Sequence, residues 1–329
     1  MARTIKKITA DPTTTSRWRR IAIIGLIVFV VVDIVLVTWA IAASRVPRET
    51  SGAPGDTTTP VARVTASPTP IRPTTTTTST PIPVADAVAP TRLLAVLDGN
   101  TAWRAKTGPC PATPAATELS TDGGATWKQS DASGPTGASS IIRLTVQSAR
   151  QASGVALTTQ GCTPEFIRTY VAGDNWATYA DQLGSAWYAD PKTPGTVHTP
   201  TGDKPAPCAT VVGLAVGSGT GDAAVLCAAH DVHTTTDGGA TWGAARTVPG
   251  AVAVTAADSG YLVAAVGASG CAGTSIVALD GDGAPATRAC VGTTAPAAGD
   301  VAIGAGSGAV WLWAGDATTR STDGGTTWR

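Results

Sequence analysis

Polar and apolar residues are distributed along this chain in three ways. Ile21 to Ala43 is an almost unbroken apolar run, IAIIGLIVFVVVDIVLVTWAIAA. As a helix these 23 residues would reach about 34 Å, enough for a hydrocarbon core of about 30 Å. Residues 44–83 lose all apolar periodicity and become Thr- and Pro-rich; the stretch Pro47–Pro90 holds 12 Thr and 9 Pro. Residues 84–329 then show short apolar segments, such as Leu93–Leu97, Val211–Val216, Val252–Thr255 and Val301–Ile303, separated by Gly-, Asp- and Thr-rich turns. Short β-branched segments between turn signals predict strands, so this region of the chain is expected to be all-β.

A single octapeptide recurs within the strand-rich region. Its copies are Ser120-Thr121-Asp122-Gly123-Gly124-Ala125-Thr126-Trp127, Thr235-Thr236-Asp237-Gly238-Gly239-Ala240-Thr241-Trp242 and Ser321-Thr322-Asp323-Gly324-Gly325-Thr326-Thr327-Trp328. A degenerate copy, Thr169 to Trp176, keeps the first hydroxyl, Gly173 and Trp176 but has Val171 in place of the Asp. These residue types suit a tight hairpin. The Asp can accept N–H groups of its own turn, the Gly pair supplies positive φ, the hydroxyls satisfy further turn groups, and the Trp offers a large apolar face as the next strand begins.

The octapeptide resembles the Asp-box, or BNR, repeat, S/T-x-D-x-G-x-T-W, found in sialidases, sortilin-type receptors and photosystem II assembly factors. The resemblance covers roughly residues 92–329 and implies a β-propeller with each motif at the hairpin between the outer two strands of a blade. It implies nothing about activity, because the motif is structural throughout the family. The Trp anchors at 127, 176, 242 and 328 then give a blade count. The first and last are 201 residues apart, five steps of about 40, a propeller-like period. Six blades follow, with motifs in blades 1, 2, 4 and 6 and without them in blade 3, near 186–207, and blade 5, near 251–291; seven blades is the alternative. The segments Leu93–Leu97, Val211–Val216, Val252–Thr255 and Val301–Ile303 become inner strands, and Trp103, Trp187, Trp311 and Trp313 second-strand residues. Blade 6 has almost no outer strand of its own before Arg329, so residues near Val84–Val88 are expected to complete it and remove a bare sheet edge.

Charge gives the apolar run its orientation. Residues 1–20 carry six Lys/Arg against one acid, Asp11, and only Arg45 and Arg48 follow the run closely. The positive-inside rule puts 1–20 in the cytoplasm, 21–43 across the lipid bilayer with Trp18 and Trp39 near its interfaces, and the rest outside. The alternative is a cleaved signal peptide ending near Ala40-Ile41-Ala42, against which stands a run longer than a signal h-region. Asp33 in mid-span reads equally as a contact with another membrane helix and as a protonated acid tolerated by a very apolar segment. The Thr/Pro stretch lacks the apolar side chains that would offset its ordering entropy, and is expected to be a disordered stalk. From Arg92 onward 13 basic residues face 18 acidic ones, a net charge of −5, which argues against nucleic acid as a partner.

Six cysteines, Cys110, Cys162, Cys208, Cys227, Cys271 and Cys290, all follow the apolar run. An even number in an exported domain suggests three disulfides. Equal spacing of 19 favours Cys208–Cys227 and Cys271–Cys290, leaving Cys110–Cys162 between blades 1 and 2; sequence alone leaves the connectivity open. With no C-x-x-C pair, zinc is disfavoured. His230 and His233 bracket Asp231, but residues three apart on a strand face opposite ways, so joint metal binding is not expected. Asp280-Gly281-Asp282-Gly283 lacks the remaining ligands of a calcium loop and reads as a blade 5 hairpin turn. No residue is assigned a catalytic, cofactor-binding or metal-binding role.

The family resemblance raises sialidase chemistry, which would need an arginine triad, a Tyr–Glu pair and an acid/base Asp. The body offers only Glu118 and Glu165 as Glu and four Tyr (Tyr170, Tyr179, Tyr188, Tyr261). The Arg-Ile-Pro signature does not occur, and Phe166-Ile167-Arg168-Thr169 is only faintly similar to it. The expectation is a non-enzymatic, membrane-anchored, extracytoplasmic propeller that binds an envelope protein client. The alternatives are a cell-wall glycan-binding module, which exposed Trp103, Trp187, Trp311 or Trp313 would favour, and a sialidase-like hydrolase.

Overall fold

The computed structural model describes residues 87–329, apart from Asp282. The basic tail, the 21–43 segment with Asp33, and the 44–83 stalk lie outside the described residues. Among the described residues no helix is long and apolar enough to cross a membrane.

Six antiparallel sheets follow one another along the chain. Blade 1 is β1 (Arg92–Val96), β2 (Ala102–Lys106), β3 (Ala116–Ser120) and β4 (Lys128–Asp131). Blade 2, after the single-turn helix α1 (Ser133–Thr136), is β5 (Ala138–Ser148), β6 (Gln151–Thr158), β7 (Pro164–Thr169) and β8 (Ala177–Thr178). Blade 3 has three short strands, β9 (Tyr188–Ala189), β10 (Thr196–Thr199) and β11 (Gly202–Pro205). Blade 4 is β12 (Val211–Val216), β13 (Ala223–Cys227), β14 (Asp231–Thr235) and β15 (Arg246–Thr247). Blade 5 is β16 (Ala251–Ala256), β17 (Tyr261–Val266), β18 (Thr274–Leu279) and β19 (Ala286–Val291), and blade 6 is β20 (Val301–Gly306), β21 (Ala309–Ala314) and β22 (Ala317–Ser321). Every strand pairs with its sequence neighbour in a meander, the pattern of a six-bladed β-propeller. The inner strands are β1, β5, β9, β12, β16 and β20.

Radial packing comes from alternation. The best-packed middle strands are buried on both faces, as in β17 (Tyr261–Val266), all six of whose residues are buried. One face fills the seam with the preceding blade and the other the seam with the next. Leu262 and Ala264 join the cluster that holds Val301, Ile303 and Leu312 of blade 6, while Val263 and Ala265 join Val212, Leu226 and Val232 of blade 4. Small residues set the spacing: a Cβ at Gly306 of β20 would run into the Val96 carbonyl oxygen of β1.

Two sequence expectations need correction. Trp187 is not a second-strand residue; it immediately precedes the two-residue inner strand of blade 3 and packs with Val197, Val225 and Trp242. Residues 87 and 88 do not complete the outer edge of blade 6. They are irregular, and Ala87 is buried against inner-strand residues of the ring's centre, including Val212 and Ala215; residues 84–86 lie outside the described residues. In blade 6 the only outer-strand pairing among the described residues is that of Arg329, which exchanges both backbone hydrogen bonds with Arg320 (2.9 and 3.0 Å).

Blades 6 and 1 meet through side chains and a backbone hydrogen bond. Arg104 of β2 lies between two indoles, 3.8 Å from the Trp127 ring centroid and 4.6 Å from that of Trp313 on β21. Arg92 of β1 covers Trp313 at 4.6 Å. Trp311 meets Trp127 edge to face at 6.2 Å and donates its indole N–H to the Asp98 carbonyl at 3.0 Å. Thr91 N–H donates to the Gly299 carbonyl (2.9 Å), and Arg92 pairs with Asp300 at 3.4 Å. Cation–π contacts contribute roughly 0.5–2 kcal/mol each, more as they are desolvated.

The cysteines pair as Cys110–Cys162, Cys208–Cys227 and Cys271–Cys290. The first ties the turn after β2 to the turn after β6, locking blade 1 to blade 2; the others lie at the entry to blade 4 and within blade 5.

Candidate functional site: octapeptide corners and the central channel

The three complete octapeptides occupy equivalent corners, each directly after the third strand of its blade. Their hydrogen bonds are superimposable. The first hydroxyl (Ser120, Thr235, Ser321) donates to the Asp carboxylate at 2.8, 2.7 and 2.6 Å and accepts the N–H of the second glycine (Gly124, Gly239, Gly325) at 2.9, 3.0 and 2.9 Å. The carboxylate of Asp122, Asp237 or Asp323 then accepts the N–H (2.9 Å each) and the hydroxyl (2.6 Å each) of Thr126, Thr241 or Thr327. The Gly pair takes φ between 72° and 92° in all three copies, the left-handed region closed to most side chains.

Hydrogen bonds to the ionised form stabilise it. The Thr126 hydroxyl and N–H hold the Asp122 carboxyl down at about 2, and Thr241 does the same for Asp237. Ser321 and Thr327 lower Asp323 further. In the degenerate copy the hydroxyl half survives: Thr169 accepts the Gly173 N–H at 3.1 Å. Ala172 there occupies the first-glycine position at φ 57°.

Each octapeptide Trp crosses a seam to the preceding blade. Trp176 meets Trp103 of blade 1 edge to face at 6.0 Å, and Trp127 meets Trp311 of blade 6. The Trp242 indole donates to the Pro205 carbonyl of blade 3 at 3.1 Å, and Trp328 packs in the cluster of Leu262 and Ile276 of blade 5. The motif is therefore an inter-blade fastener, with its polar half satisfied locally and its apolar half spent on the neighbour.

The other sequence candidates are dispersed. His230 sits in a turn and its Nδ1 lies 3.0 Å from the Ala251 carbonyl oxygen, while His233 on β14 faces Gly243. Asp280 ends the blade 5 hairpin and accepts from Arg288 at 2.9 Å; Asp282 lies outside the described residues. Glu118 takes Arg104, and Glu165 accepts the Thr178 hydroxyl at 3.3 Å. Among the described residues no cluster of three or more His, Cys, Asp or Glu side chains could hold a metal ion. Trp103, Trp187, Trp311 and Trp313 are all buried.

The inner strands of all six blades line a central channel, a cavity of about 930 Å³. Its wall is mostly aliphatic, with Leu93, Ile142, Leu144, Leu214, Val254 and Ile303 prominent. Three charged side chains line it, Arg92, Arg143 and Asp190. Arg92 is taken by Asp300, and Asp190 accepts the Lys192 N–H at 2.9 Å. Arg143 has no such partner. It projects from β5, whose register shifts on either side of Ile141, a bulge of the kind that re-aims side chains. One guanidinium nitrogen donates to the Leu214 carbonyl of blade 4 at 3.0 Å, reaching across where blade 3 has only a two-residue inner strand. No ion pair among the described residues involves Arg143. Burial pushes its pKa down to about 10, still charged at neutral pH. Sequence reading missed this residue. The available signal was a lone Arg inside Ile141-Ile142-Arg143-Leu144, a charge within an aliphatic strand.

The fold defines the class: a six-bladed β-propeller with an open, apolar central channel. No family model and no curated protein matches the chain. Among solved structures it is similar to YCF48 bound to D1 peptide, at 16% identity over 77% of this chain and 84% of that one, with a TM-score of 0.39. It is also similar to the GH74 xyloglucanase from Xanthomonas campestris (16% identity, 72% and 37% of the two chains, TM-score 0.30). A third is PorZ, an essential surface component of the type-IX secretion system of Porphyromonas gingivalis (10% identity, 74% and 38%, TM-score 0.38). Likenesses this remote leave function to the chain's own residues.

Proposed function

We propose that this chain is a membrane-anchored propeller, held outside the cell membrane by residues 21–43 and the 44–83 stalk, whose octapeptides are Asp-box repeats and whose ring binds a protein client. The observation that carries the reading is the open aliphatic channel of about 930 Å³ in a ring fastened by octapeptide corners and three disulfides. Such a rigid, concave, mostly apolar site is built to receive a ligand. Disulfides persist in oxidising compartments, which supports the extracytoplasmic placement.

The glycan reading draws no support from the tryptophans, since the four that would have stacked on sugar rings are buried in seams. The sialidase reading draws none from Glu118 or Glu165, which are engaged by Arg104 and Thr178.

The test is chemical crosslinking of the full-length chain in intact cells, followed by purification. Thr145, exposed on the channel wall, is replaced by Trp to obstruct the channel, with Gln129→Trp on the outer strand of blade 1 as control. A specific crosslinked protein should be recovered with wild type and with Gln129→Trp, and lost with Thr145→Trp. Equal recovery with all three, or none with any, contradicts client binding through the channel.

A further inference from the structure

We propose that the channel is a binding site for a carboxylate carried on an apolar body, with the Arg143 guanidinium as its anchor. This deepens the client-binding reading and rests on the channel being the binding face.

A guanidinium presents five N–H donors in a planar fork. Arg143 spends one nitrogen on the Leu214 carbonyl, and its remaining donors have no carboxylate among the described residues. Elsewhere in the ring, Arg92 is paired with Asp300, and Arg104 with Glu118 and two indoles. Arg143 is part-buried in an aliphatic wall and none of its nitrogens is both buried and unpaired, so an anion in the channel can reach its free donors.

The surroundings then define the ligand. Arg143 is flanked by Ile142 and Leu144, with Leu214 and Val216 among the wall residues contributed by blade 4. Asp190, the one acid of the lining, is held by the Lys192 N–H and leaves the guanidinium free. A planar fork favours a planar two-oxygen anion, bound bidentately. The aliphatic wall favours an apolar body behind that anion. Two sources carry this chemistry, the free C-terminus of an apolar peptide and a short-chain fatty acid.

The experiment is isothermal titration of the full-length chain in lipid nanodiscs, with empty discs subtracted. The probes are acetyl-Val-Leu-Val-Leu as the free acid and as the C-terminal amide, and hexanoate with hexanamide. Wild type should bind at least one acid tighter than its amide by on the order of tenfold or more. The preference should collapse to near unity in Arg143→Met, with amide affinity retained, and be partly kept in Arg143→Lys, which preserves charge but not the fork. Tighter binding of the peptide acid assigns the site to a protein C-terminus; tighter binding of hexanoate assigns it to a lipid-derived acid. Equal affinity for acid and amide in wild type overturns the proposal, as does a preference that survives in Arg143→Met. The wild-type comparison stands even if Arg143→Met fails to fold. Should Thr145→Trp abolish client crosslinking while no acid binds, the client reading holds and the carboxylate site falls.

Discussion

Four positions show what one residue can do in this ring. Asp122, Asp237 and Asp323 are exposed, yet each organises its turn by accepting from a hydroxyl and from backbone N–H groups at once. Their folded pKa values lie below the ordinary 3.8. A carboxyl whose pKa is lowered by folding contributes stability that is complete above its unfolded pKa and lost as pH falls through the folded one. The contribution is therefore present at neutral pH and is lost as pH falls from about 4 towards about 2 for Asp122 and Asp237, and at still lower pH for Asp323. Thermal melts across that window should show a steep acid loss, and Asp122→Asn should flatten the slope while lowering the melting temperature at pH 7. The fourth position is Ala172, a non-glycine at φ 57° where the complete copies have glycine. Left-handed backbone costs an L-residue about 1–2 kcal/mol, so Ala172→Gly should raise the melting temperature by about 2–4 °C; a lowered one would contradict the strain.

At the scale of elements, much was legible because the octapeptide's bonds are local: hydroxyl, Asp, Gly pair and Thr fall within eight residues. Spacing then located the blades, including the two without the motif, and the inner strands β12 and β20 begin at the residues where the aliphatic runs Val211–Val216 and Val301–Ile303 begin. What escaped depends on distant partners. Trp187 looks like any strand tryptophan until blade 3 is seen to have a two-residue inner strand. Arg143 looks like a solvent-facing charge until the bulge in β5 aims it inward. Gly306 signals nothing in sequence, yet only hydrogen fits beside the Val96 carbonyl. Gly306→Val should cost about 1–3 kcal/mol by forcing β20 away from β1, read as a lower midpoint in chemical denaturation with an unchanged slope.

At the scale of the whole molecule, closure of the ring is the element no local pattern encodes. The stack Arg92–Trp313–Arg104–Trp127 joins side chains more than 200 residues apart in the chain. Arg104→Ala removes two cation–π contacts and the partner of Glu118, and should destabilise by about 2–4 kcal/mol. Hydrogen exchange should then show protection lost first in blades 1 and 6. Loss spread evenly round the ring would argue against a closure seam. The disulfides act on the unfolded chain, each contributing about 3–4 kcal/mol for loops of these lengths, so reductant should lower the melting temperature markedly at pH 7.

We propose an open channel in a closed ring displayed beyond the membrane. Its most direct test is a single cysteine, Thr145→Cys, treated in intact cells with a membrane-impermeant maleimide while the three native disulfides remain closed. The account predicts labelling of intact cells at a rate close to that of the purified folded protein. Labelling only after lysis would place the ring inside the cell, and labelling only after unfolding would mean that no open channel exists.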